Sequence, residues 1–209
     1  MVHPQKSLIE LISERHSIRK YDPNFEIPIK EIVEILKMAT KAPSSSNLQS
    51  WRFIVIQDRE TKKELRMIAN NQEQIETSSA VIAVLGDKEM YKSAEKVYKS
   101  ANEAGYMDEA NMHRLIEGTL KTYPYASEET RMQIASFDAG LVTMQLTLIA
   151  KNHGYDTVIM GGFDKQKFAE RFNVPERYFP IVLISLGKAA APAFQTTRLP
   201  IEDVLLTII

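Results

Sequence analysis

The residues best suited to binding an anion lie at positions 15–21, in the sequence RHSIRKY. Arg15 and Arg19 are four residues apart, so on a continuing helix both guanidinium groups reach the same side. Guanidinium groups match the geometry of phosphate oxygens and form charge-assisted hydrogen bonds with them. The same pattern is typical of a solvated helix end, where cations lie at the negative end of the helix dipole. Both interpretations stay open on these residues alone.

The loop at residues 42–51, with the sequence APSSSNLQSW, offers a second set of polar groups. Its three consecutive serines and its asparagine supply hydroxyl and amide partners for the polar edge of a ring. An ordinary turn that precedes a core tryptophan has the same composition.

Gly161 and Gly162 follow residues 156–160, which are predicted to form a short strand. Because glycine has no Cβ atom, the backbone N–H groups of such a pair can lie close to a flat ligand. A tight turn from strand to helix is the alternative. Arg198 is a single cation near the C-terminus, and most such residues are plain surface.

The residue types that are missing exclude several kinds of chemistry. The absence of cysteine excludes disulfides, thiolate nucleophiles, iron–sulfur clusters and cysteine-ligated zinc. The four histidines form no i, i+3 or i, i+4 pair, so we expect no metal site. The eight glycines form neither a GxGxxG nor a GxxxxGK motif, which disfavours the corresponding dinucleotide-binding fold and phosphate-binding loop.

The charge balance argues against nucleic acid and membranes as partners. There are 26 Lys and Arg residues against 27 Asp and Glu residues, which leaves no basic surface for nucleic acid or for a lipid headgroup. No apolar run reaches the roughly 18 residues of a spanning helix, and the N-terminal residues show no apolar signal-peptide region. A cysteine-free chain fits a reducing compartment, so we expect a cytoplasmic protein.

The elements that must position these residues alternate between helices and apolar strands. We predict strands at 51–57, 80–86, 156–160 and 180–187, and helices that begin at Pro4 and Pro28 or span 58–69, 128–151 and 164–172. The inner face of the long helix 128–151 is predicted to carry Ile134, Phe137, Leu141, Met144 and Leu148. This pattern indicates an α/β or α+β sandwich. No linker composition interrupts it, so residues 1–209 are predicted to form one domain.

Two segments fit this pattern less well. Residues 87–126 are charged, weakly periodic and predicted to be helical, and they carry five tyrosines: Tyr91, Tyr98, Tyr106, Tyr123 and Tyr125. Residues 188–209 have little regular pattern but many apolar side chains, from Phe194 to Ile209. A solvated tail does not carry so many apolar residues, so we expect it to pack on something.

The order and spacing of five short motifs resemble the FMN-dependent nitroreductase family. They are RHSIRKY, APSSSNLQSWRFIVI, NNQEQ, MGGFD and TRLPIEDV, and together they extend over about residues 8–204. The resemblance implies an α+β, three-layer sandwich with a mainly antiparallel central sheet and helices on both faces. It also implies an intertwined homodimer with FMN at the interface, in which 188–209 is a dimer-swapped tail and about 87–126 is a helical cover.

The resemblance also assigns FMN-binding roles. Arg15 and Arg198 are expected at the phosphate, and Arg19 at the ribityl chain and the pyrimidine edge. The 43–47 loop is expected from the other subunit, and Gly161 and Gly162 are expected to present N–H groups to flavin N5 and O4. The full set is Arg15, His16, Ser17, Arg19, Pro43, Ser44, Ser45, Asn47, Asn71, Gln74, Met160, Gly161, Gly162, Thr196 and Arg198.

Two residues of this set depart from the family pattern. Gln74 and Thr196 stand where relatives often carry lysine. Without a cation near flavin N1, the anionic reduced flavin is less stable, so we expect a lower reduction potential.

The activity implied by the resemblance is a ping-pong transfer of electrons. NADH or NADPH reduces the flavin, and a flat, electron-poor acceptor such as a nitroaromatic, a quinone or a flavin then takes the electrons in the same place. No side chain is expected to be a nucleophile, which agrees with the cysteine-free sequence. The alternatives are a non-catalytic FMN- or nucleotide-binding dimer and a different flavin reaction such as dehalogenation.

Overall fold

An antiparallel sheet with the strand order β1-β2-β4-β3 forms the centre of this computed structural model, which describes residues 6–208. The strands are β1 (Trp51–Ile56), β2 (Ala80–Asp87), β3 (Asp156–Met160) and β4 (Tyr178–Gly187). The helices are α1 (Leu8–Glu14), α2 (Ile29–Ala39), α3 (Arg59–Ile68), α4 (Glu73–Thr77), α5 (Ala94–Glu103), α6 (Glu109–Thr122), α7 (Glu128–Asn152), α8 (Lys165–Arg171) and α9 (Ile201–Val204). All four strands lie where the sequence predicts them, within two residues at each end.

The central strand β2 is buried along its whole length because helices cover both faces of the sheet. Ile82 and Val84 pack in one core with residues of α2 and α7. Val81 and Ala83 point the other way and pack with residues of α3 and α8. The predicted fold class, an α+β three-layer sandwich, is therefore confirmed.

Short polar side chains fix where several helices begin. The N-cap side chains of Asp58, Asp108, Ser127 and Asp164 each accept a hydrogen bond from the backbone N–H three residues later. Pro28 precedes α2 as predicted, whereas Pro4, the predicted start of the first helix, lies outside the described residues.

The predicted inner face of α7 is wrong at Phe137 and Met144, whereas Ile134 and Leu141 pack against the cores while partly buried. Phe137 is 64% exposed and Met144 is also exposed. The buried face carries smaller and polar residues: Ala135, Asp138, Ala139, Val142, Thr143, Leu146, Thr147 and Ala150. Small side chains allow the helix axis to lie close to the sheet, which places the large apolar residues outside. By length and composition alone α7 could also cross a membrane, but here it packs as the core helix against the sheet.

Residues 88–126 fold into helices, as predicted, and form a third small core. Met90, Ala94, Tyr98 and Met112 pack there against Leu48 and Ala135.

Below this layer the buried carboxylate of Asp87 forms ion pairs with Arg52 and Arg177. The hydrogen bond to Asp87 raises the pKa of Arg177.

The C-terminal segment leaves the sheet after a backbone contact between Tyr21 and Ala189. Beyond this contact its large apolar side chains are exposed within one chain, and Leu206 is 97% exposed. Helix α1 likewise exposes Leu8 and Ile9. Ile209, which was included in the predicted apolar tail, lies outside the described residues.

Candidate functional site

The glycine pair lies at the end of β3, where the chain turns toward α8. Neither Gly161 nor Gly162 donates its N–H to an acceptor among residues 6–208. A Cβ atom added at Gly161 would meet nothing within 4 Å, so the backbone there is open to a ligand. Two unused donors on an exposed and uncrowded backbone can bind the acceptor atoms on the edge of a ring.

The turn at residues 70–74 is attached directly to this pair. Asn70 Nδ2 and Gln72 Nε2 donate to the carbonyl oxygen of Gly162 over 2.9 and 3.0 Å. Asn70 and Asn71 both have a left-handed backbone, with φ of 54° and 56°. Asparagine tolerates this conformation better than most residues.

Gln74 is only 8% exposed and belongs to the first turn of α4. Its Nε2 lies 3.0 Å from Gln72 Oε1 and 3.4 Å from the sulfur of Met160. Asn71 Oδ1 accepts a 2.7 Å hydrogen bond from Arg66 Nε. The turn and the strand end thus bring Asn71, Gln74, Met160, Gly161 and Gly162 into one region.

The loop at residues 43–50 has an unusual backbone. Ser46, Asn47 and Gln49 are all left-handed, with φ of 50°, 53° and 51°. Such a conformation costs roughly 1–2 kcal/mol per non-glycine residue, so other contacts must maintain it. Ser44 Oγ provides one of them, since it accepts from the N–H of Gln49 over 3.1 Å. Pro43 and Asn47 are exposed.

A buried carboxylate on α7 supplies the strongest contacts to this loop. Asp138 Oδ1 accepts from both N–H and Oγ of Ser45, each over 2.9 Å, and Asp138 Oδ2 accepts from Ser50 Oγ over 2.6 Å. Asp138 is fully buried. It is absent from the predicted set, although one acidic residue within the otherwise small and apolar segment IASFDAGLV was a usable signal.

Two tyrosines join the other side of the loop to the helical layer. The hydroxyl of Tyr98 donates to Ser46 O over 2.8 Å, and the hydroxyl of Tyr123 lies 2.9 Å from Ser46 Oγ. Both side chains line a cavity of about 910 Å³ between α5, α6 and α7. We call it the tyrosine cavity. Ser46 and Asn47 form its wall on the loop side, Met107, Leu115 and Ile134 supply much of its apolar lining, and Arg114 is its charged residue.

The segment at residues 15–19 is extended, which corrects the predicted helix over Arg15 and Arg19. Helix α1 ends at Glu14, and Arg15 has φ −70° and ψ 111°. Ser17 pairs with Thr157 of β3, and Ile18 N–H donates to Thr157 O over 3.0 Å. Since side chains alternate along an extended backbone, residues four apart still share a side.

The side chains of residues 15–19 make few hydrogen bonds or ion pairs within the described part of the chain. The guanidinium of Arg15 has no hydrogen-bond or ion-pair partner among residues 6–208, and Arg19 is exposed. His16 Nδ1 lies 3.0 Å from Glu14 O. The pairing with β3 therefore fixes the backbone of this segment, and the Arg15 guanidinium stays available to an anion.

The two predicted residues of the tail are not brought to the rest of the set. Arg198 bonds only locally, to Thr196 Oγ1 over 3.1 Å and to Thr197 O over 2.8 Å. Both residues are exposed. Within one chain the structure thus assembles the glycine pair, the 70–74 turn and the 15–19 segment around β3, and leaves Thr196 and Arg198 apart.

Lys62 is another buried charge, besides Asp87 and Asp138, that sequence reasoning missed. It lies on α3, and its ammonium group donates to Ser78 O at the end of α4. Burial lowers the pKa of this lysine below its usual value. The contact holds together the base of the α3–α4 hairpin, whose tip is the 70–74 turn.

Comparisons with known proteins agree with the motifs. The model of the Nitroreductase family matches residues 12–188. A Bacillus subtilis protein named "Putative NAD(P)H nitroreductase YodC" is 42% identical over 196 residues, which cover 94% of this chain and 96% of the relative. A Staphylococcus epidermidis structure described as a "putative NAD(P)H:FMN oxidoreductase" has a TM-score of 0.95 and 38% identity, covering 100% of this chain and 99% of the other. An Exiguobacterium sibiricum structure, a "putative nitroreductase in complex with FMN", has a TM-score of 0.93 and 40% identity, covering 98% of this chain and 99% of the other.

Proposed function

The chain belongs to the nitroreductase family, and from this premise we propose that it is an NAD(P)H-dependent FMN oxidoreductase that reduces flat, electron-poor acceptors. The observation that carries the proposal is the pair of unused backbone N–H groups at Gly161 and Gly162, beside the amide-rich turn at residues 70–74. Donors of this kind suit the heteroatom-bearing edge of a flavin ring.

The residues around β3 fit FMN in both chemistry and shape. The open backbone at Gly161 lets a flat ring approach without steric conflict. Asn71 and Gln74 would supply amide groups for the pyrimidine edge, and the guanidinium of Arg15, which has no partner in the described part of the chain, would supply charge for the phosphate. His16, Ser17, Arg19 and Met160 complete this part of the proposed site.

The remaining part of the proposed site comes from a second copy of the chain. Pro43, Ser44, Ser45 and Asn47 would approach the flavin from the partner, and Thr196 and Arg198 of the tail would complete the phosphate site. The exposed apolar side chains of the tail and of α7 support a homodimer, because a soluble monomer rarely exposes so many. Family members are generally dimeric.

When bound, FMN would supply the two-electron redox chemistry between NAD(P)H and the acceptor. The chain itself binds and orients. Backbone N–H groups at Gly161 and Gly162 hold the reactive edge, and no nucleophilic side chain or metal is required. The protein would operate in the cytoplasm, where NAD(P)H is produced.

The tyrosine cavity supports the proposed acceptor class of nitroaromatics, quinones or flavins. It is mainly apolar and is bounded by the loop that carries Asn47. The half-buried ring of Tyr123 offers a face against which a flat molecule can stack. Residues 87–126 would thus cover the acceptor site.

Purification and anaerobic titration test this function. We expect a yellow protein whose flavin absorption band bleaches on addition of NADH or NADPH and returns on addition of a nitroaromatic or quinone. Bound flavin that neither donor bleaches would indicate a non-catalytic FMN-binding dimer. Bleaching without turnover of these acceptors would indicate a different flavin reaction, such as dehalogenation. A colourless protein that takes up no added FMN would contradict the proposal.

A further inference from the structure

We propose that Asp138 is a positioning residue of the flavin site, whose buried carboxylate holds the 43–50 loop in the shape that meets FMN. This inference rests on the proposed function, because the loop's role in FMN binding belongs to that proposal. Asp138 itself lies behind the loop and acts through Ser45 and Ser50.

The contacts divide the loop into an anchored frame and a strained centre. Ser45 and Ser50 are the anchored residues, and the left-handed residues Ser46, Asn47 and Gln49 all lie between them. Holding both ends at a fixed separation restricts the conformations that the intervening chain can adopt. The position of Asn47 then depends on a carboxylate that does not touch it.

A carboxylate suits this task better than any neutral side chain of its size. An ionised aspartate only accepts hydrogen bonds and has two oxygens, each with room for two donors. Asp138 uses this capacity for two donors on Oδ1 and one on Oδ2. An asparagine has one acceptor oxygen and its NH2 group can only donate, so Ser50 Oγ would have to change from donor to acceptor and all three contacts would become neutral.

The helix that carries Asp138 gives the loop a rigid reference. The neighbouring residues Ala139 and Val142 are buried against the sheet. Charge-assisted hydrogen bonds in a buried site are short and directional, so they fix the position of the loop relative to this helix. On the opposite side Tyr98 and Tyr123 make neutral contacts with Ser46, and near the end of the loop Arg52 donates to Gln49 O over 3.0 Å. The Asp138 contacts differ from these because one carboxylate binds Ser45 and Ser50 and so connects both ends of the strained centre.

The decisive variant is Asp138→Asn, with Thr143→Val as its matched control on the buried face of the same helix. The hydroxyl of Thr143 is buried and has no hydrogen-bond partner in the described part of the chain, so its removal should leave the loop unchanged. FMN affinity is measured by fluorescence titration, together with the visible circular dichroism of the bound flavin. The melting temperature of the FMN-free protein reports stability separately.

We expect Asp138→Asn to weaken FMN binding about 10- to 100-fold and to change the flavin dichroism, since charge-assisted hydrogen bonds are lost. Thr143→Val should bind FMN within about twofold of the unchanged protein. A purely structural Asp138 would lower the melting temperature but leave the dichroism and the FMN affinity of the folded protein unchanged. That result would overturn the proposal.

A milder variant, Ser50→Ala, tests the same contact if Asp138→Asn does not fold. It should weaken FMN binding about 3- to 10-fold. If both variants fold, the double variant should bind no worse than Asp138→Asn alone, because both changes remove one contact. Additive losses would contradict the proposed route through Ser50. The unchanged protein is measured first: failure to bind FMN would refute the proposed function, whereas normal binding with unaffected variants would refute only the role of Asp138.

Discussion

The region proposed to meet the flavin ring and the region proposed to meet its phosphate differ in how far one chain builds them. On the ring side, the 43–50 loop, the 70–74 turn and Gly162 are all held by hydrogen bonds within the chain. On the phosphate side, Arg15 has no partner among the described residues, and Arg198 lies in an exposed tail.

This difference indicates which interactions the ligand itself must complete. Neutral donors such as the N–H groups of Gly161 and Gly162 can be organised in advance at little cost, because they do not repel one another as like charges do. Two guanidinium groups brought together without an anion would repel each other. In the proposed site, an exposed tail would avoid this repulsion until a second copy of the chain and a phosphate were both present.

Removal of the tail should abolish FMN binding at the phosphate side, because only Arg15 would remain there. A chain that ends at residue 193 lacks Arg198 and the apolar residues of α9, so we expect loss of the dimer and loss of measurable FMN binding. Light scattering and FMN titration report the two losses.

A point substitution provides the control for that truncation. Leu206→Ser should weaken the dimer, whereas Met67→Ser, at a residue that is 75% exposed on α3, should not. A dimer that survives deletion of the tail would show that the subunits associate through other surfaces.

Arg15→Ala and Arg198→Ala should each weaken FMN binding about 10- to 100-fold. The reason is that a charge-assisted hydrogen bond to phosphate contributes about 1.5–3 kcal/mol. Riboflavin, which lacks the phosphate, should lose much less affinity in the same variants. Arg59→Ala, at an exposed arginine on α3, serves as the control. Equal losses for FMN and riboflavin would mean that these arginines act on the ring or on folding.

The sequence predicted local structure better than contacts between distant residues. The four strands and the place of the glycine pair after β3 follow from short motifs and apolar runs whose geometry is local. Arg15 and Arg198 are far apart in sequence, so nothing local indicates whether they meet, and only the family resemblance connects them.

Two errors have a common physical cause. The inner face of α7 was assigned to its large apolar residues, and Asp138 was overlooked. A period of 3.6 residues shows that a helix is amphipathic, but α7 carries one face of small residues and another of large ones, and either could be the buried face. The face of small residues packs on the sheet because it allows the helix and the sheet to lie close together. This packing places Asp138 beneath the 43–50 loop.

Gln74→Lys tests the electrostatics of the ring side. An added ammonium near the pyrimidine edge should stabilise the anionic reduced flavin by roughly 1–3 kcal/mol, which raises the two-electron potential by about 20–60 mV. Gln74→Met, which lacks both charge and donor, is the control and should not raise it. Spectroelectrochemical titration of the bound flavin gives the values. An unchanged potential in Gln74→Lys would mean that Gln74 does not face the flavin.

Tyr123→Phe should have the smallest effect, because it removes only the hydroxyl contact with Ser46 and keeps the aromatic ring. One neutral hydrogen bond contributes about 0.5–1.5 kcal/mol, so the KM of an aromatic acceptor should rise about 2- to 10-fold through a less ordered wall of the tyrosine cavity. FMN affinity should change less, since Asp138 still holds the loop from below. Tyr125→Phe is the matched control, because Tyr125 lies on the same turn but is exposed and does not line the cavity. The opposite result would be that Tyr123→Phe weakens FMN binding as strongly as Asp138→Asn. The neutral contact of Tyr123 with Ser46 would then be as important for FMN binding as the buried carboxylate of Asp138, which would contradict the proposed role of Asp138.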